Sequence, residues 1–343
     1  MQIQSKSPCR VDMAGGTLDI WPLYLYHPGA VTVNFAVNRY TSCELRTRED
    51  GRVVLRSRDQ KAGESFRSLD HLLRTEQYKL PLLAWLVRFF RPGMGLELDT
   101  HSEAPAGAGI AGSSSLIITV AHAFNRLLGT GYSTERLREI CQNVESQIIR
   151  VPTGAQDYYP AMYGGVSAIE LTAAGVRRRA IGVDVGEFNS RVVLCYTGEP
   201  RNSGINNWEV MKAHINGDKK VHRNFEQISA IAQAMRGALE KADWAEVGRL
   251  LREEWAHRKR NVPTISTELI DRLVAATRKA GARGAKVCGA GGGGCVFFLV
   301  EPETKKRVEE VIEGEGAQVL PVEVARQGVK VRVSEPGMGP PIQ

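Results

Sequence analysis

Hydrophobic and polar residues follow two different periods along this chain, and together they predict a mixture of strands and helices. Alternating or β-branched stretches predict strands at residues 30–46 (as two successive stretches), 53–56, 165–171 and 191–196. Apolar residues at helical spacing predict helices at residues 80–90, 114–128, 133–149, 224–241, 244–259 and 267–279. This order of elements fits an α+β chain with a boundary near residues 182–186.

A cluster of glycines lies directly before the predicted helix at residues 114–128. Gly107, Gly109 and Gly112 are close enough in sequence to let backbone N–H groups turn toward a bulky anion. Three serines follow where the helix begins; a helix N-terminus favours phosphate, and a serine hydroxyl can bind magnesium. A flexible connector is the alternative interpretation. As a phosphate-binding loop, the segment consists of Pro105, Gly107, Ala108, Gly109, Ala111, Gly112, Ser113, Ser114 and Ser115.

A second glycine cluster favours the phosphate-binding interpretation of the first. It lies between two short apolar segments that resemble strands, where a turn without side chains lets a backbone or a ligand approach closely. Neither cluster ends in the Gly-Lys-Ser or Gly-Lys-Thr of a Walker loop, and the first lies too deep in the chain for a dinucleotide-binding fingerprint. The second glycine loop consists of Gly289, Ala290, Gly291, Gly292 and Gly293, with Gly294 completing the run.

Together with these loops, the sequence Pro-Cys-Arg-Val-Asp-Met-Ala-Gly-Gly-Thr-Leu-Asp at residues 8–19 resembles the GHMP kinases, the superfamily of galactokinase, homoserine kinase, mevalonate kinase and phosphomevalonate kinase. The resemblance spans nearly the whole chain. It is nearest to bacterial D-glycero-D-manno-heptose 7-phosphate kinases and related sugar 1-kinases, which have counterparts of residues 33–40, 157–165 and 196–198. It implies a two-domain α+β fold. A ribosomal protein S5-like domain at residues 1–184 would hold the ATP loop and acceptor site, and a ferredoxin-like α/β domain at residues 185–343 would hold the second glycine loop.

The resemblance also implies ATP as the phosphate donor, Mg²⁺ as the metal, and roles for particular side chains. Asp157 would face the acceptor hydroxyl and take its proton, or else be a turn aspartate bonded to its own backbone. Arg10 would lie near the transferred phosphoryl group, or else form an internal salt bridge. Asp19 would hold sugar hydroxyls, or else cap a helix. Ser113 and Glu145 would bind Mg²⁺, with an exposed helical glutamate as the alternative.

For the acceptor, the resemblance favours the anomeric hydroxyl of D-glycero-D-manno-heptose 7-phosphate. A site for its second phosphate would use Arg201 or the basic run at residues 257–260, which otherwise caps a helix end. The chain departs from the heptose kinases at residues 15–19, where they usually have Gly-Gly-Gly-Thr-Asp, and at Ala155, where lysine is common. The alternatives are a kinase for another sugar (galactose- or fucose-like) or for a mevalonate-type alcohol, and a GHMP-fold ligand-binding protein without turnover.

Composition is compatible with an enzyme for a small anionic substrate and adds little else. The 343 residues include 45 Lys and Arg against 38 Asp and Glu, a formal net charge of +7, and the basic residues are scattered rather than clustered as for nucleic acid. The 6 cysteines have no metal-binding spacing and are expected to be reduced thiols of a cytoplasmic protein. No membrane span or signal-peptide core is predicted. The expected partner is a small-molecule sugar phosphate, and a homodimer is compatible with the sequence.

Overall fold

The computed structural model describes residues 1–200 and 205–334, which form two β-sheets with helices packed on them. The strands, in chain order, are β1 (Gln2–Ala14), β2 (Val31–Arg48), β3 (Val53–Ser57), β4 (Ala62–Phe66), β5 (Gly95–Ser102), β6 (Val166–Thr172), β7 (Gly175–Ala180), β8 (Val192–Tyr196), β9 (Ala282–Val287), β10 (Cys295–Val300), β11 (Gln318–Leu320) and β12 (Lys330–Ser334). The helices are α1 (Leu69–Arg74), α2 (Pro81–Phe90), α3 (Gly112–Leu128), α4 (Thr134–Ile149), α5 (Tyr158–Tyr163), α6 (Val185–Ser190), α7 (Ile205–Ile215), α8 (Lys219–Glu240), α9 (Trp244–Asn261), α10 (Glu268–Ala280) and α11 (Lys305–Gly314). The expected α+β class is confirmed.

The larger sheet has eight strands, in the order β12-β1-β2-β5-β3-β4, with β6 paired to β2 and β7 paired to β6. Its pairs are antiparallel except for β3 and β5, which run parallel. The smaller sheet has four antiparallel strands in the order β11-β8-β10-β9. Because β12 returns from the end of the described chain to pair with β1, the first sheet contains residues from both sides of the expected boundary at 184 and 185. That division into domains stays a prediction.

The segment expected to hold two strands is a single strand, β2, of 18 residues. Its two halves have different neighbours: Val31–Phe35 pair with β6, and Thr41–Arg48 pair with β5. Most of β2, from Val33 to Arg46, also pairs with β1 along its other edge, with register shifts between Pro8 and Cys9 and between Asp12 and Ala14. A break in residue pattern therefore marks a change of neighbour rather than an end of the strand.

The helices expected from apolar spacing all occur, with ends shifted by a few residues at most positions. At α4 the expected N-cap is confirmed, since Ser133 accepts a hydrogen bond from the Arg136 N–H at 3.2 Å. Helix α7 was not predicted, and its apolar residues show little preference for one side. Among the helices that the structure describes, none has the length and apolar character needed to cross a membrane.

The core that connects the two sheets positions the cleft described below. Phe35 of β2 packs edge-on against Phe297 of β10, with ring centroids 5.6 Å apart. Val11 of β1 and Leu194 of β8 are buried in the same apolar cluster, to which α8 and α9 also contribute. A separate apolar cluster packs α2, α3 and α4 against the larger sheet. In the second half of β1, from Ser7 to Ala14, both the apolar and the polar residues are buried, which hides the alternation expected of a half-exposed strand.

Candidate active site

A cleft of about 490 Å³ contains most of the predicted site residues. Its wall is formed by the first glycine loop, by the segment 152–157 and by the polar end of β1 with the turn that follows it. Asn207 of α7 and Arg258 of α9 close its other side, together with Gly289 and Ala290 of the second glycine loop. Residues far apart in the sequence thus meet around one cavity large enough for a small substrate.

The first glycine loop presents the start of α3 to this cleft. Gly107 and Gly109 have φ values of 66° and 80°, a left-handed conformation that favours glycine. Ala111, the N-cap of α3, is also left-handed, with φ 57°, and among the residues that the structure describes no side chain caps this helix. The N–H groups of the first turn are therefore left for a ligand, and an anion at this end is favoured by the helix dipole.

All but one of the predicted nucleotide-loop residues line the cleft; the exception is Ser115. Its hydroxyl donates to the Ser7 carbonyl oxygen at 3.2 Å and lies 2.8 Å from Oγ1 of Thr41. A helix turns by about 100° per residue, so the third serine of the run faces the sheet when the first faces the cleft. Ser115 therefore anchors α3 to β1 and β2 instead of contacting the cleft.

Ser113 and Glu145 lie together, as the magnesium prediction requires. The Ser113 hydroxyl donates to Oε1 of Glu145 at 2.6 Å, while Ser114 and Tyr158 donate to Oε2 at 2.9 and 2.7 Å. Glu145 is buried rather than exposed, and this burial raises its pKa despite the three donors. Hydroxyl and carboxylate oxygens at the edge of a phosphate loop are the donor set that Mg²⁺ prefers, so the residues present fit the ion.

Asp157 and Arg10 form a close pair at the floor of the cleft. Asp157 precedes α5, and its Oδ1 accepts from Nε of Arg10 at 2.9 Å and from Nη2 at 2.6 Å. Nη1 of Arg10 donates to the Gly109 carbonyl oxygen at 2.6 Å, which connects this pair to the glycine loop. Arg10 is buried, whereas the Asp157 side chain is 23% exposed. The arginine thus holds one carboxylate oxygen and leaves the other, Oδ2, outside that contact.

Asp12 is a site residue that the sequence analysis missed. It contacts Nζ of Lys286, lies 3.4 Å from Nη1 of Arg258 and accepts the Gly289 N–H at 2.9 Å. Burial by itself opposes ionisation, but Lys286, Arg10 and Arg258 hold the pKa of Asp12 well below its usual range. The one sign of this role in the sequence was the position of Asp12, two residues after Arg10. In a strand, this spacing places both side chains on the same face.

Asp19 lies deep in the cleft beside Asp157. Its Oδ2 accepts the backbone N–H of Gln156 at 2.9 Å, and it caps no helix. Burial, followed by the nearby charge of Asp157, raises the pKa of Asp19 to about 7. A Cβ added to Gly154 would lie 2.0 Å from Oδ2, so the absence of a side chain at residue 154 makes room for this carboxyl group.

The second glycine loop lines the cleft with its first two residues and packs against other segments of the protein with the rest. Gly289 and Ala290 line the cleft, but the glycines after them contact protein backbone. Gly292 donates to the Ile265 carbonyl oxygen at 2.8 Å, and a Cβ on Gly291 or Gly293 would meet Ile265 or the Glu199 carbonyl at 2.1 and 2.8 Å. Gly291, Gly292 and Gly293 therefore pack against Ile265, Thr264 and Glu199, whereas Gly294 lies against the first glycine loop.

The candidates for a second phosphate site fall in two places. Arg201 lies outside the described residues. Of the basic run at 257–260, only Arg258 lines the cleft, and it also donates to the Gly289 carbonyl oxygen at 2.8 Å. Nδ1 of His257 lies 3.2 Å from Oδ1 of Asn224, away from the cleft lining. A second phosphate site at this run stays a prediction, and Arg258 is the member of the run that lines the cleft.

Comparison with known families identifies this arrangement. Residues 80–165 match the family described as GHMP kinases N terminal domain, and residues 235–318 match GHMP kinases C terminal. The chain is a GHMP kinase. Within it, the first glycine loop and Asp157 belong to the stretch matched by the N-terminal family, and the second glycine loop to the stretch matched by the C-terminal family. GHMP kinases are enzymes that use ATP as the phosphate donor.

Several known proteins are similar to this GHMP kinase over most of their length. A D-glycero-alpha-D-manno-heptose 7-phosphate kinase from Campylobacter jejuni is 26% identical over 342 residues, covering 96% of this chain and 98% of the relative. A mevalonate kinase from Pyrococcus furiosus is 27% identical over 257 residues, 70% of each chain. The structure of a D-glycero-D-manno-heptose 1-phosphate kinase from Bacteroides thetaiotaomicron superposes with a TM-score of 0.76 at 23% identity, covering 97% and 99% of the two chains, and shows the same fold.

Proposed function

We propose that this GHMP kinase transfers the γ-phosphoryl group of ATP to a sugar, and that its acceptor is the anomeric hydroxyl of D-glycero-D-manno-heptose 7-phosphate. One observation carries the proposal: the Asp157–Arg10 pair opens onto the same cleft as the uncapped start of α3. A binding protein without turnover has no need of a carboxylate held against an arginine beside a phosphate loop. Phosphoryl transfer needs both, one to position the acceptor and one to offset charge.

In this proposal Asp157 accepts the hydrogen bond of the acceptor hydroxyl at Oδ2, the oxygen that Arg10 leaves outside its contact. The hydroxyl is thereby oriented toward the γ-phosphate, and its proton passes to the Asp157 carboxylate as the new O–P bond forms and the bond between the γ-phosphorus and the bridging oxygen of the departing ADP breaks. Arg10 keeps the carboxylate in place and puts positive charge next to the transferred group. Asp19, whose Oδ2 accepts the backbone N–H of Gln156, contacts another hydroxyl of the acceptor.

The nucleotide would lie along the first glycine loop with its phosphates at the start of α3. Ser113 and Glu145 would hold Mg²⁺, which when bound neutralises charge on the phosphate oxygens. Backbone N–H groups between Gly107 and Ser114 would supply the remaining contacts with the nucleotide phosphates. Their positions depend on left-handed backbone at Gly107, Gly109 and Ala111.

The heptose phosphate as acceptor is supported by the Campylobacter jejuni relative, which is similar along its whole length. One feature of the cleft favours an acceptor without a second phosphate. Two cations, Arg10 and Arg258, line the described part of the cleft, and both contact Asp12. The acidic residues that line it are Asp12, Asp19, Asp59, Glu145 and Asp157. A free sugar kinase is therefore the second candidate function, and a phosphate-binding role for Arg201 separates the two.

The catalytic part of the proposal is tested by Asp157→Asn. Asparagine keeps the shape but cannot take the proton, so kcat should fall by about 10²–10⁴-fold while the Kd for ATP, measured by calorimetry, stays within about threefold. A matched control is Asp59→Asn, which changes a carboxylate at another part of the cleft wall. A kcat near that of the wild type for Asp157→Asn would contradict the assignment.

The acceptor is tested by comparing kcat/KM for the heptose 7-phosphate, the free heptose, galactose, fucose and mevalonate. A real phosphate contact contributes about 1.5–3 kcal/mol, so the heptose 7-phosphate should exceed the free heptose by about ten- to a hundredfold. Arg201→Gln should remove that advantage without changing turnover of the free sugar. Equal kcat/KM for the two heptoses would favour the free sugar kinase.

A further inference from the structure

Three histidines outside the cleft come together from distant parts of the chain. His27 follows the 3₁₀ turn Leu23–Tyr26, His214 lies in the last turn of α7, and His222 lies in the first turn of α8. Each pair of ring centroids is 5.0 Å apart. One ring nitrogen from each residue lies within 4.8 Å of those of the other two. No motif in the sequence marks this group, because its members come together only when these three segments pack.

Two members of the group contact each other directly. Nε2 of His27 and Nε2 of His214 share a hydrogen bond at 2.9 Å, and both side chains are buried. Two nitrogens bound to one tetrahedral ion at about 2.0–2.1 Å are about 3.3 Å apart, so this pair already has nearly the separation of two ligands. The other nitrogen of His214, Nδ1, is buried and has no hydrogen-bond partner in the part of the chain that the structure describes.

The surroundings also favour a cation. Oε1 of Glu226 lies 3.5 Å from Nδ1 of His222, so a carboxylate can orient this ring and leave its Nε2 for a ligand bond. Phe225 packs against His27 and His214 at centroid distances of 6.0 and 5.6 Å and shields the group on one side. The His222 side chain is 42% exposed, which leaves a path for an ion and room for a water or small anion as a further ligand.

The donor set decides which ions fit. Three imidazole nitrogens suit borderline transition-metal ions, above all Zn²⁺, and not Mg²⁺, which requires oxygen. Imidazole binds metals in its neutral form, and the burial of His27 and His214 disfavours the charged form. This site is thus chemically distinct from the Ser113–Glu145 pair.

We propose that His27, His214 and His222 bind one transition-metal ion of the Zn²⁺ class, which fastens α7 to α8 and to the segment after β1. The position of α7 matters to the cleft, because its Asn207 lines the cleft wall and lies 3.0 Å from Oγ1 of Thr17. An ion held by three segments adds cross-links that the unfolded chain lacks, so it stabilises the native state by mass action.

The test uses the full-length protein without a polyhistidine tag, stripped of metal and free of nucleotide. Calorimetry with Zn²⁺ should give one high-affinity ion per chain in the wild type, and Co²⁺ should give the visible absorption of a low-coordinate site. His222→Gln should weaken Zn²⁺ binding by more than about tenfold, since it removes one ligand. Because the His222 side chain is 42% exposed, we expect the variant to keep its fold, and circular dichroism checks this.

His71→Gln is the matched control, because His71 is exposed and lies in α1, away from the group. It should bind Zn²⁺ as the wild type does. Zn²⁺ should also raise the Tm of the wild type and of His71→Gln but not that of His222→Gln. Equal Zn²⁺ affinity in the wild type and His222→Gln, or no binding in the wild type, would overturn the proposal. Neither result depends on kinase activity, so the test stands apart from the proposed function.

Discussion

Three aspartates in the cleft differ in chemistry because their immediate surroundings differ. Asp12 is held ionised by three cations, Asp157 is paired through one oxygen with Arg10, and Asp19 is buried beside another carboxylate. A low pKa suits a structural anion, whereas a raised pKa marks a group whose charge is costly. Single-residue changes can therefore separate binding of the acceptor from stability of the fold.

Gly154→Ala tests the position of Asp19. A Cβ at residue 154 would lie 2.0 Å from Oδ2 of Asp19, so the carboxyl group must move away from its contact with Gln156. We expect the KM of the acceptor to rise by about ten- to a hundredfold, with the KM of ATP nearly unchanged. Gly182→Ala, where nothing lies within 4 Å of the new Cβ, is the control. Equal KM values of the acceptor for Gly154→Ala and Gly182→Ala in steady-state kinetics would argue against this role of Asp19.

Asp19→Asn tests the raised pKa of Asp19. The pKa is about 7 in the native state against an ordinary value of 3.8, so between these values the folded protein holds a proton that the unfolded chain has lost. The free energy of unfolding contributed by Asp19 therefore falls as pH rises through this window and is constant above it. The difference between wild type and Asp19→Asn in urea denaturation should fall by up to about 1.4 kcal/mol per pH unit. A difference independent of pH would show that the pKa is not raised.

At the scale of elements, the two glycine loops act as one unit. The Cys295 N–H donates to the Ala108 carbonyl oxygen at 2.7 Å, and the Thr197 N–H donates to the Gly294 carbonyl oxygen at 3.0 Å. Through these backbone hydrogen bonds, the second loop and the end of β8 hold the first loop in position. This support explains how a loop with three glycines can present ordered N–H groups, since free glycines would cost entropy on binding.

Gly294→Ala tests this support. Gly294 has φ 82°, and a Cβ there would lie 2.8 Å from the Ala108 carbonyl oxygen, so the first loop must shift. Gly198→Ala is the matched control, because it has the same φ of 82° and no described residue lies within 4 Å of the new Cβ. Both variants carry the strain of a left-handed alanine, about 1–2 kcal/mol. Calorimetry should show ATP bound about tenfold more weakly by Gly294→Ala than by Gly198→Ala; equal affinities would refute the coupling.

At the scale of the molecule, the two sheets meet through a buried ion pair as well as an apolar core. Lys286 of β9 contacts Asp12 of β1, and Nζ also donates to the Asp12 carbonyl oxygen at 2.9 Å. Both side chains are fully buried. Buried charges stabilise a structure only when each is paired, so the loss of one partner is costly. The cleft lies next to this junction, and its shape depends on it.

Lys286→Met tests the junction. Removal of the cation leaves Asp12 with Arg10 and Arg258 only, and the free energy of unfolding should fall by about 3–5 kcal/mol. Adding Asp12→Asn should restore part of this loss. The control is Lys259→Met, whose pair with Asp271 at 3.4 Å is exposed and should contribute about 0–1 kcal/mol. If urea denaturation gives Lys286→Met and Lys259→Met the same free energy of unfolding, the Lys286–Asp12 pair does not have the stabilising role assigned to it.

Local pattern alone was enough to predict α2, α3, α4, α8, α9 and α10 and to suggest a phosphate-binding loop at the start of α3. These features depend on residues within a few positions of one another, where backbone sterics and helical periodicity act directly. The resemblance to GHMP kinases, which rests on three such local motifs, pointed to the family and to the candidates Asp157, Arg10, Asp19, Ser113 and Glu145. The roles of these residues and the boundary between domains stay predictions.

Only the tertiary structure decided which of these residues meet. Asp12 and Lys286 are 274 residues apart, Arg10 and Asp157 are 147 apart, and His27 and His214 are 187 apart. Such pairs depend on strand register and on packing between elements, which no short window of sequence contains. The same cause merged two expected strands into β2 and brought together three histidines that sequence spacing left unassigned.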